Sequence, residues 1–223
     1  MPFNNANRIF FWLTFLHDSF GGPIAGQATV ACDSFIMIMI LQLTAQMEIL
    51  IHRMQIFFEL CKIKIPNNPH MEQIILKNWV QHHNSLHLLK NELNDIFNSI
   101  FYIQFMLTTL SACLLTFQLT TIDIISTKFF TSIMQLFCVL LQICMYCATG
   151  NLIMEKSRAI GHAVFAMNWV SLTKRTKTGL IQIIMRANTP ITFTAGSIIP
   201  LSLSTFTSIL RLSYSIYNCL PKQ

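Results

Sequence analysis

The sequence predicts an all-α integral membrane protein, a helix bundle with about four transmembrane helices and cytoplasmic helical extensions. Three observations carry this. Hydrophobic residues make up 53% of the 223 residues and charged residues 11%, less than half the roughly 25% usual in soluble proteins. Three long runs carry no charge: Ile96–Ile122, Phe129–Met154 and Ala187–Leu210. Each exceeds the roughly 20 apolar residues that cross a bilayer core about 30 Å thick. Finally, 11 of the 15 Lys and Arg lie in two stretches between apolar runs.

The elements follow in chain order. The N-terminal MPFNNANRIFFWLTFL has a short apolar run, Ile9–Leu16, with no small-residue cleavage site close behind it, so it does not read as a signal peptide. Phe10–His17 is expected to be an outer extension of the first membrane helix. Phe20–Met47 carries a single charge, Asp33, and Gly21, Gly22 and Pro23 predict a break or kink near its start. This span is expected to continue as a cytosolic helix to about Lys62. Pro66–Pro69 (PNNP) predicts a turn. Ile75, Trp79, His83 and Leu86, spaced by three or four, predict an amphipathic helix over Met71–Leu93 that leads into the second span. Ile160, Val164, Met167 and Val170 predict another over Ser157–Leu172, and Thr173–Thr178 (TKRTKT) predicts a basic turn before the last helix. The whole chain reads as a single transmembrane helical domain with spans at about 23–47, 96–122, 129–154 and 187–220. Pro200 divides the last of these.

Charge sets the expected direction. Arg53, Lys62, Lys64, Lys77 and Lys90 lie in Glu48–Asp95, and Lys156, Arg158, Lys174, Arg175, Lys177 and Arg186 lie in Glu155–Arg186. The positive-inside rule places both loops in the cytoplasm. The C-terminus is then extracellular, and so is the other end of this four-span chain.

Composition and motifs exclude several classes. The net charge of +6 sits in loops and forms no stripe on a folded face, so no nucleic-acid partner is expected. Of the seven cysteines, Cys113, Cys138, Cys144 and Cys147 lie inside apolar runs, which predicts mostly free thiols and no disulfide framework. Cys144-x-x-Cys147 has no second ligand pair, and His83 with His87 has no third ligand, so no metal is expected. No P-loop, dinucleotide glycine pattern or G-x-S-x-G occurs. No catalytic residue and no cofactor is expected.

Nearly the whole chain resembles the insect odorant receptors. FWLTFLHDSFGGPIAGQATVACDSFIMIMILQLTAQMEILIHRM resembles that family's fourth transmembrane helix, with Asp33 mid-helix and Gln46–Leu50 before a basic end. VQHHNSLHLLKNELNDIFNSI (Val80–Ile100) resembles the approach to the fifth. The end, NTPITFTAGSIIPLSLSTFTSILRLSYSIYNCL, is similar to the last helix, with Thr194–Gly196 (TAG), Ser204–Phe206 (STF) and Ser213–Ser215 (SYS). The resemblance runs from about Phe10 to Leu220. The family has seven membrane helices and a cytoplasmic N-terminus, so the chain is expected to be the C-terminal part of such a receptor, helices four to seven. What the resemblance implies is an odour-gated non-selective cation channel acting in the sense of smell. It would work in the cell membrane as a hetero-tetramer with a co-receptor, held together by its cytoplasmic helices.

The candidate sites follow from this. An apolar volatile binds by burying its surface, with a few polar groups to orient it. Gln27, Val30 and Ser34 lie within two turns of the first span near its outer half, roughly on one face. Phe130, Met134 and Phe137 do the same on the third. Ordinary helix packing would also place apolar residues there. By resemblance the pore side falls in Ser213–Leu220, with Ser213, Tyr217 and Leu220 as candidates, although hydroxyl-mediated helix packing accounts for the same serines. Asp33 is either functional or a structural hydrogen-bonding group. Two other readings compete: a gustatory receptor relative and a truncated, non-conducting membrane interaction subunit. The ending S-Y-S-I-Y-N-C-L favours the odorant branch over the gustatory T-Y-x-x-x-x-x-Q-F pattern.

Overall fold

The computed structural model describes residues 8–64, 69–122, 126–166 and 172–219, and of these the side chains of 8–10, 58–64, 69 and 216–219 fall outside the description. In order the elements are α1 (Arg8–Lys64), α2 (Pro69–Thr121), α3 (Thr127–Phe165), α4 (Lys174–Ala187), a two-stranded antiparallel hairpin of β1 (Thr194–Ala195) and β2 (Ile199–Pro200), and α5 (Leu203–Cys219). The all-α architecture expected from composition is the one observed. Among the described residues, α1, α2 and α3 are long and apolar enough to cross a membrane.

The chain divides into two compact units, residues 1–39 and 40–223. In the first, the described residues are helical from Arg8 onward and mostly exposed. The helix continues through Pro23, where the sequence predicted a break or kink, so the chain is not broken there. Open space around Gly22 and Gly26 leaves the backbone there unstrained by neighbours.

In the second unit each long helix buries one seam and exposes another. On α1 the seam is Ile40, Leu43, Met47, Leu50 and Met54, spaced 3-4-3-4, the repeat that keeps a helix face against its neighbours. On α2 it runs through Trp79, His83, Leu86, Leu93, Phe97, Phe101, Phe105, Thr108, Ala112 and Leu115. The amphipathic helix predicted over Met71–Leu93 is therefore present and joins the span without interruption. On α3 the seam includes Ile143, Cys147, Gly150, Ile153, Ser157, Ile160 and Val164. Phe101 sits at the centre, its ring 5.7 Å from that of Tyr146 and 6.4 Å from that of Phe193. Glu48 and Lys156 pair at 2.8 Å across α1 and α3.

Opposite the α2 seam lies an equally regular exposed stripe: Ile96, Ile100, Ile103, Leu107, Leu110, Leu114 and Phe117. A water-facing stripe of this kind would be costly, whereas lipid or another helix covers it without penalty. Several threonine hydroxyls within the apolar segments are satisfied by their own helix. Thr108 donates to Gln104 O, Thr116 to Ala112 O and Thr149 to Met145 O, at 2.7–3.0 Å. The five cysteines whose side chains are described, Cys32, Cys113, Cys138, Cys144 and Cys147, are free.

Two expectations need correction. Residues 187–220 do not form one divided helix. α4 ends at Ala187, a loop and hairpin follow, and α5 begins only at Leu203. Pro190 and Pro200 supply no backbone N–H, and Gly196 and Ser197 both adopt positive φ (63° and 61°), so a helical ladder cannot run through this stretch. Nor is Thr173–Thr178 a turn: Thr173 is the N-cap of α4, and the residues after it are its first helical turn. The predicted PNNP turn lies at the edge of residues outside the description, as do Met167 and Val170.

Candidate functional site

The break between α4 and α5 is held by a dense set of hydrogen bonds. Its backbone is irregular, and at or near membrane depth such backbone is tolerated only where protein groups satisfy it. α2 supplies them. Asn98 lies one turn beyond Asn94 on the same face. The Asn98 side-chain oxygen accepts from Ser197 N at 2.8 Å, its amide nitrogen donates to Ser197 Oγ at 3.1 Å, and its main-chain carbonyl accepts from Gly196 N at 3.3 Å. Asn94 Oδ1 accepts from Thr194 N at 3.1 Å. Leu201 N donates to Phe193 O at 2.9 Å, closing the hairpin, and Ile198 N donates to Ala195 O at 3.3 Å. Gly196 is required twice over: its φ is positive, and a Cβ would press on the Tyr102 ring. At Gly150 a Cβ would overlap the Leu201 carbonyl oxygen, so the absence of a side chain lets α3 approach the hairpin's exit strand.

α4 is fixed at both ends. Thr173, its N-cap, makes no side-chain cap bond of its own. The Glu72 carboxylate of α2 takes that place: its Oε2 accepts from Thr173 N (3.2 Å), Thr173 Oγ1 (2.9 Å) and Thr176 Oγ1 (3.0 Å). A negative charge at a helix N-terminus is stabilised by the helix dipole. Beyond the far end, the Ser157 hydroxyl of α3 accepts from Ile191 N at 3.0 Å. Arg186 donates to Asn84 Oδ1 at 2.9 Å. α5 opens on Ser202, whose Oγ accepts from Thr205 N at 3.3 Å and lies 2.7 Å from Ser204 Oγ. Glu72, Asn94, Asn98, Gly150 and Ser157 escaped sequence reasoning. The Asn-x-x-x-Asn step ahead of an apolar run was the only local signal available.

Gln27, Val30 and Ser34 are exposed on the described helix of the first unit, and Asp33 between them is half-buried. In the second unit, Phe130, Met134 and Phe137 are exposed and share an outward stripe of α3 that continues through Leu141 and Met145. Phe130 is 67% exposed. The spacing argument thus brings the α3 triplet together on one face. Ser213 is half-buried on α5 and its Oγ has no hydrogen-bond partner among the described residues. Tyr217 falls in α5 with its side chain outside the description, and Leu220 lies outside the described residues.

His83 and His87 form a ring pair on α2, before the charge-free segment. Their rings meet edge to face at 4.7 Å, and Nε2 of each is buried without a partner among the described residues. Burial, and then the nearby His87, Arg186 and His82, push the His83 imidazole down to about 4. Burial, Arg186 and Lys90 push His87 down too.

Three bilayer-length helices with apolar outer stripes, and an irregular junction clamped by asparagines, define a multi-pass α-helical membrane protein. The chain belongs to the odorant receptor family: the family model described as 7tm odorant receptor matches residues 1–214. Odorant receptor 67a of Drosophila melanogaster is 27% identical over 97% of this chain and 53% of its own length. Odorant receptor 10 of Aedes albopictus is 30% identical over 64% of this chain and 38% of its own length. The chain thus spans about half the length of the curated relatives it matches along its whole extent. Among solved structures, the olfactory receptor OR5 from Machilis hrabei in complex with eugenol superposes with a TM-score of 0.84 over 98% of this chain and 54% of that one. Identity there is 16%, so the likeness shows a shared fold.

Proposed function

We propose that this chain is part of an odour-gated, non-selective cation channel subunit that assembles with a co-receptor in a hetero-tetramer. The observation that carries this reading is the fold likeness over 98% of the chain to an insect olfactory receptor solved with eugenol. The ligand is a volatile small molecule. Gln27, Val30 and Ser34 are one set of proposed contacts, and Phe130, Met134 and Phe137 another. Phe and Met form an adaptable wall for an apolar volatile. Ser213, Tyr217 and Leu220 are the proposed pore positions. The spans are placed at about 23–47, 96–122 and 129–154, with α5 as the last membrane segment. The basic loops are proposed to face the cytoplasm and the C-terminus the outside.

Co-expression with an insect co-receptor subunit in oocytes, under a panel of volatile aromatic alcohols, tests the reading. An odour-evoked inward cation current is expected. Removing about 55 Å² of apolar contact costs about 1.4 kcal/mol, or tenfold in affinity. Phe137→Ala and Met134→Ala should therefore each raise the half-maximal concentration about tenfold. A chain that reaches the surface with its partner yet passes no current is instead a non-conducting interaction subunit. An unshifted response in both variants would remove the α3 face from the ligand site.

A further inference from the structure

Two polar atoms of α2 lack the partners that burial demands. Nε2 of His83 and Nε2 of His87 are both buried, and neither has a hydrogen-bond partner among the described residues. Leaving one buried polar atom unsatisfied is costly, and two of them one helical turn apart call for a shared ligand. His83 is 2% exposed, so packing fixes its ring. His87 is half-buried, which leaves the pair open on one side. Residues four apart on a helix face each other, and these rings meet with centroids 4.7 Å apart and planes 85° to one another. An imidazole nitrogen holds a transition ion at about 2.0–2.1 Å, which puts the ion roughly 3.2 Å from the ring centre. Rings 4.7 Å apart then share one ion at an angle of about 95°, between the square-planar and tetrahedral values.

The surroundings sort ions by class. The charged and titratable groups acting on the pair are Arg186 of α4, with Lys90 and His82 of α2. Arg53 of α1 acts on His82. Among the described residues no third His, Cys, Asp or Glu joins the pair. A hard cation such as Ca²⁺ or Mg²⁺ needs oxygen ligands and finds no carboxylate here. A borderline ion bonds imidazole strongly, Cu²⁺ above Zn²⁺, and completes its shell with water. Burial, helped by the neighbouring cations, holds His83 at about 4 and His87 below its ordinary 6.5. Both rings are therefore neutral near pH 7, the form in which imidazole is a ligand.

We propose that His83 and His87 bind a borderline divalent transition ion, Cu²⁺ or Zn²⁺, through both Nε2 atoms, with water in the remaining positions. Their spacing in the sequence supplies two ligands and nothing more. The structure adds that both nitrogens are buried and unpartnered and that the rings are in contact. The bound charge stands near Arg186, whose 2.9 Å hydrogen bond to Asn84 ties the end of α4 to α2. An occupied site therefore opposes that tie just ahead of the hairpin that leads into α5. The inference is independent of odour gating.

Cu²⁺ added to the purified full chain in detergent, with exposed thiols alkylated, tests this by equilibrium dialysis and electron paramagnetic resonance. A single bound ion showing superhyperfine coupling to two nitrogens is expected. His83→Leu and His87→Gln should each weaken binding at least about tenfold, and His162→Gln on α3 should leave it unchanged. Arg186→Gln should tighten it about threefold by removing a nearby cation. The ion should stay bound at pH 6, where a pair of ordinary imidazoles is mostly protonated. Matching elution profiles and circular dichroism confirm that the variants are folded. Undiminished binding in both histidine variants would overturn the proposal, as would equal competition by Ca²⁺. No bound ion in the parent chain would overturn it too and assign the two nitrogens to water.

Discussion

At the residue scale, the second unit is held by a few polar side chains at places where apolar packing cannot finish the work. Glu72 shows the logic: a carboxylate buried beneath α4 is stable there because three donors from Thr173 and Thr176 converge on one oxygen. His83 shows the opposite case, a buried imidazole whose Nε2 has no partner among the described residues. Its titration is pushed down from 6.5 to about 4. Between those values the unfolded chain binds the proton more tightly than the folded one. Stability is therefore full above about pH 7 and falls as pH drops through 6.5 toward 4. Hydrogen exchange of α2 and α4 at pH 7.5 and pH 5, each corrected for the base-catalysed intrinsic rate, should show lower protection around residues 79–90 and 180–187 at the lower pH. His83→Leu should flatten that difference, since it keeps the volume and removes the titration. An equal pH response in the variant would assign the effect to other groups.

At the scale of elements, the junction between α4 and α5 decides where the last helix points. Apolar composition alone would allow a continuous helix there. The prolines and positive-φ residues prevent it, and α2 then supplies the bonds that a loop would otherwise take from water. Asn98 contributes three of them. Asn98→Leu removes the two side-chain bonds and leaves Ser197 N without its acceptor, at a cost of about 1–3 kcal/mol. Faster amide exchange at residues 194–201 is expected, with α1 unchanged. Asn98→Asp, which keeps the acceptor, should be intermediate. No change at the hairpin in either variant would mean that Gly196 and the β1–β2 pairing hold it unaided.

At the scale of the whole molecule, α2 has 53 residues, about 80 Å of helix at 1.5 Å per residue, far more than a bilayer covers. The charged residues Lys90, Glu92 and Asp95 all precede residue 96. The exposed apolar stripe runs from Ile96 to Phe117. On the proposed topology the part of α2 from residue 96 onward lies in the membrane and the part before it in water. An arginine in the middle of the first should cost about 2.5–3.5 kcal/mol of insertion free energy. Leu107→Arg is therefore expected to lower the membrane-inserted fraction in a glycosylation-mapping assay, and Ser85→Arg to leave it unchanged. The reverse pattern would move the membrane segment toward the start of α2. The proposed odour gating, partner choice and ion passage are properties to test on a whole receptor; this chain covers about half the length of the relatives it matches along its whole extent.

The sequence by itself determined the class of the protein, because crossing a bilayer depends on local properties: run length, the absence of charge and the placement of Lys and Arg. It also determined the amphipathic approach to the second span, since a 3–4 spacing of Trp79, His83 and Leu86 reports one buried face wherever the partner lies. The resemblance in residues 188–220 pointed to the family for a similar reason, as a pattern along the chain. Only the tertiary structure decided what that last stretch does. Hydropathy registers that residues 187–210 are apolar and is blind to their backbone, whose hydrogen bonds go to Asn94 and Asn98, about a hundred residues earlier. The cap of α4 was hidden in the same way, because Glu72 and Thr173 meet only once α2 and α4 have packed. Each is a long-range pairing, and the free energy that selects it comes from satisfying polar groups that no local window of sequence contains.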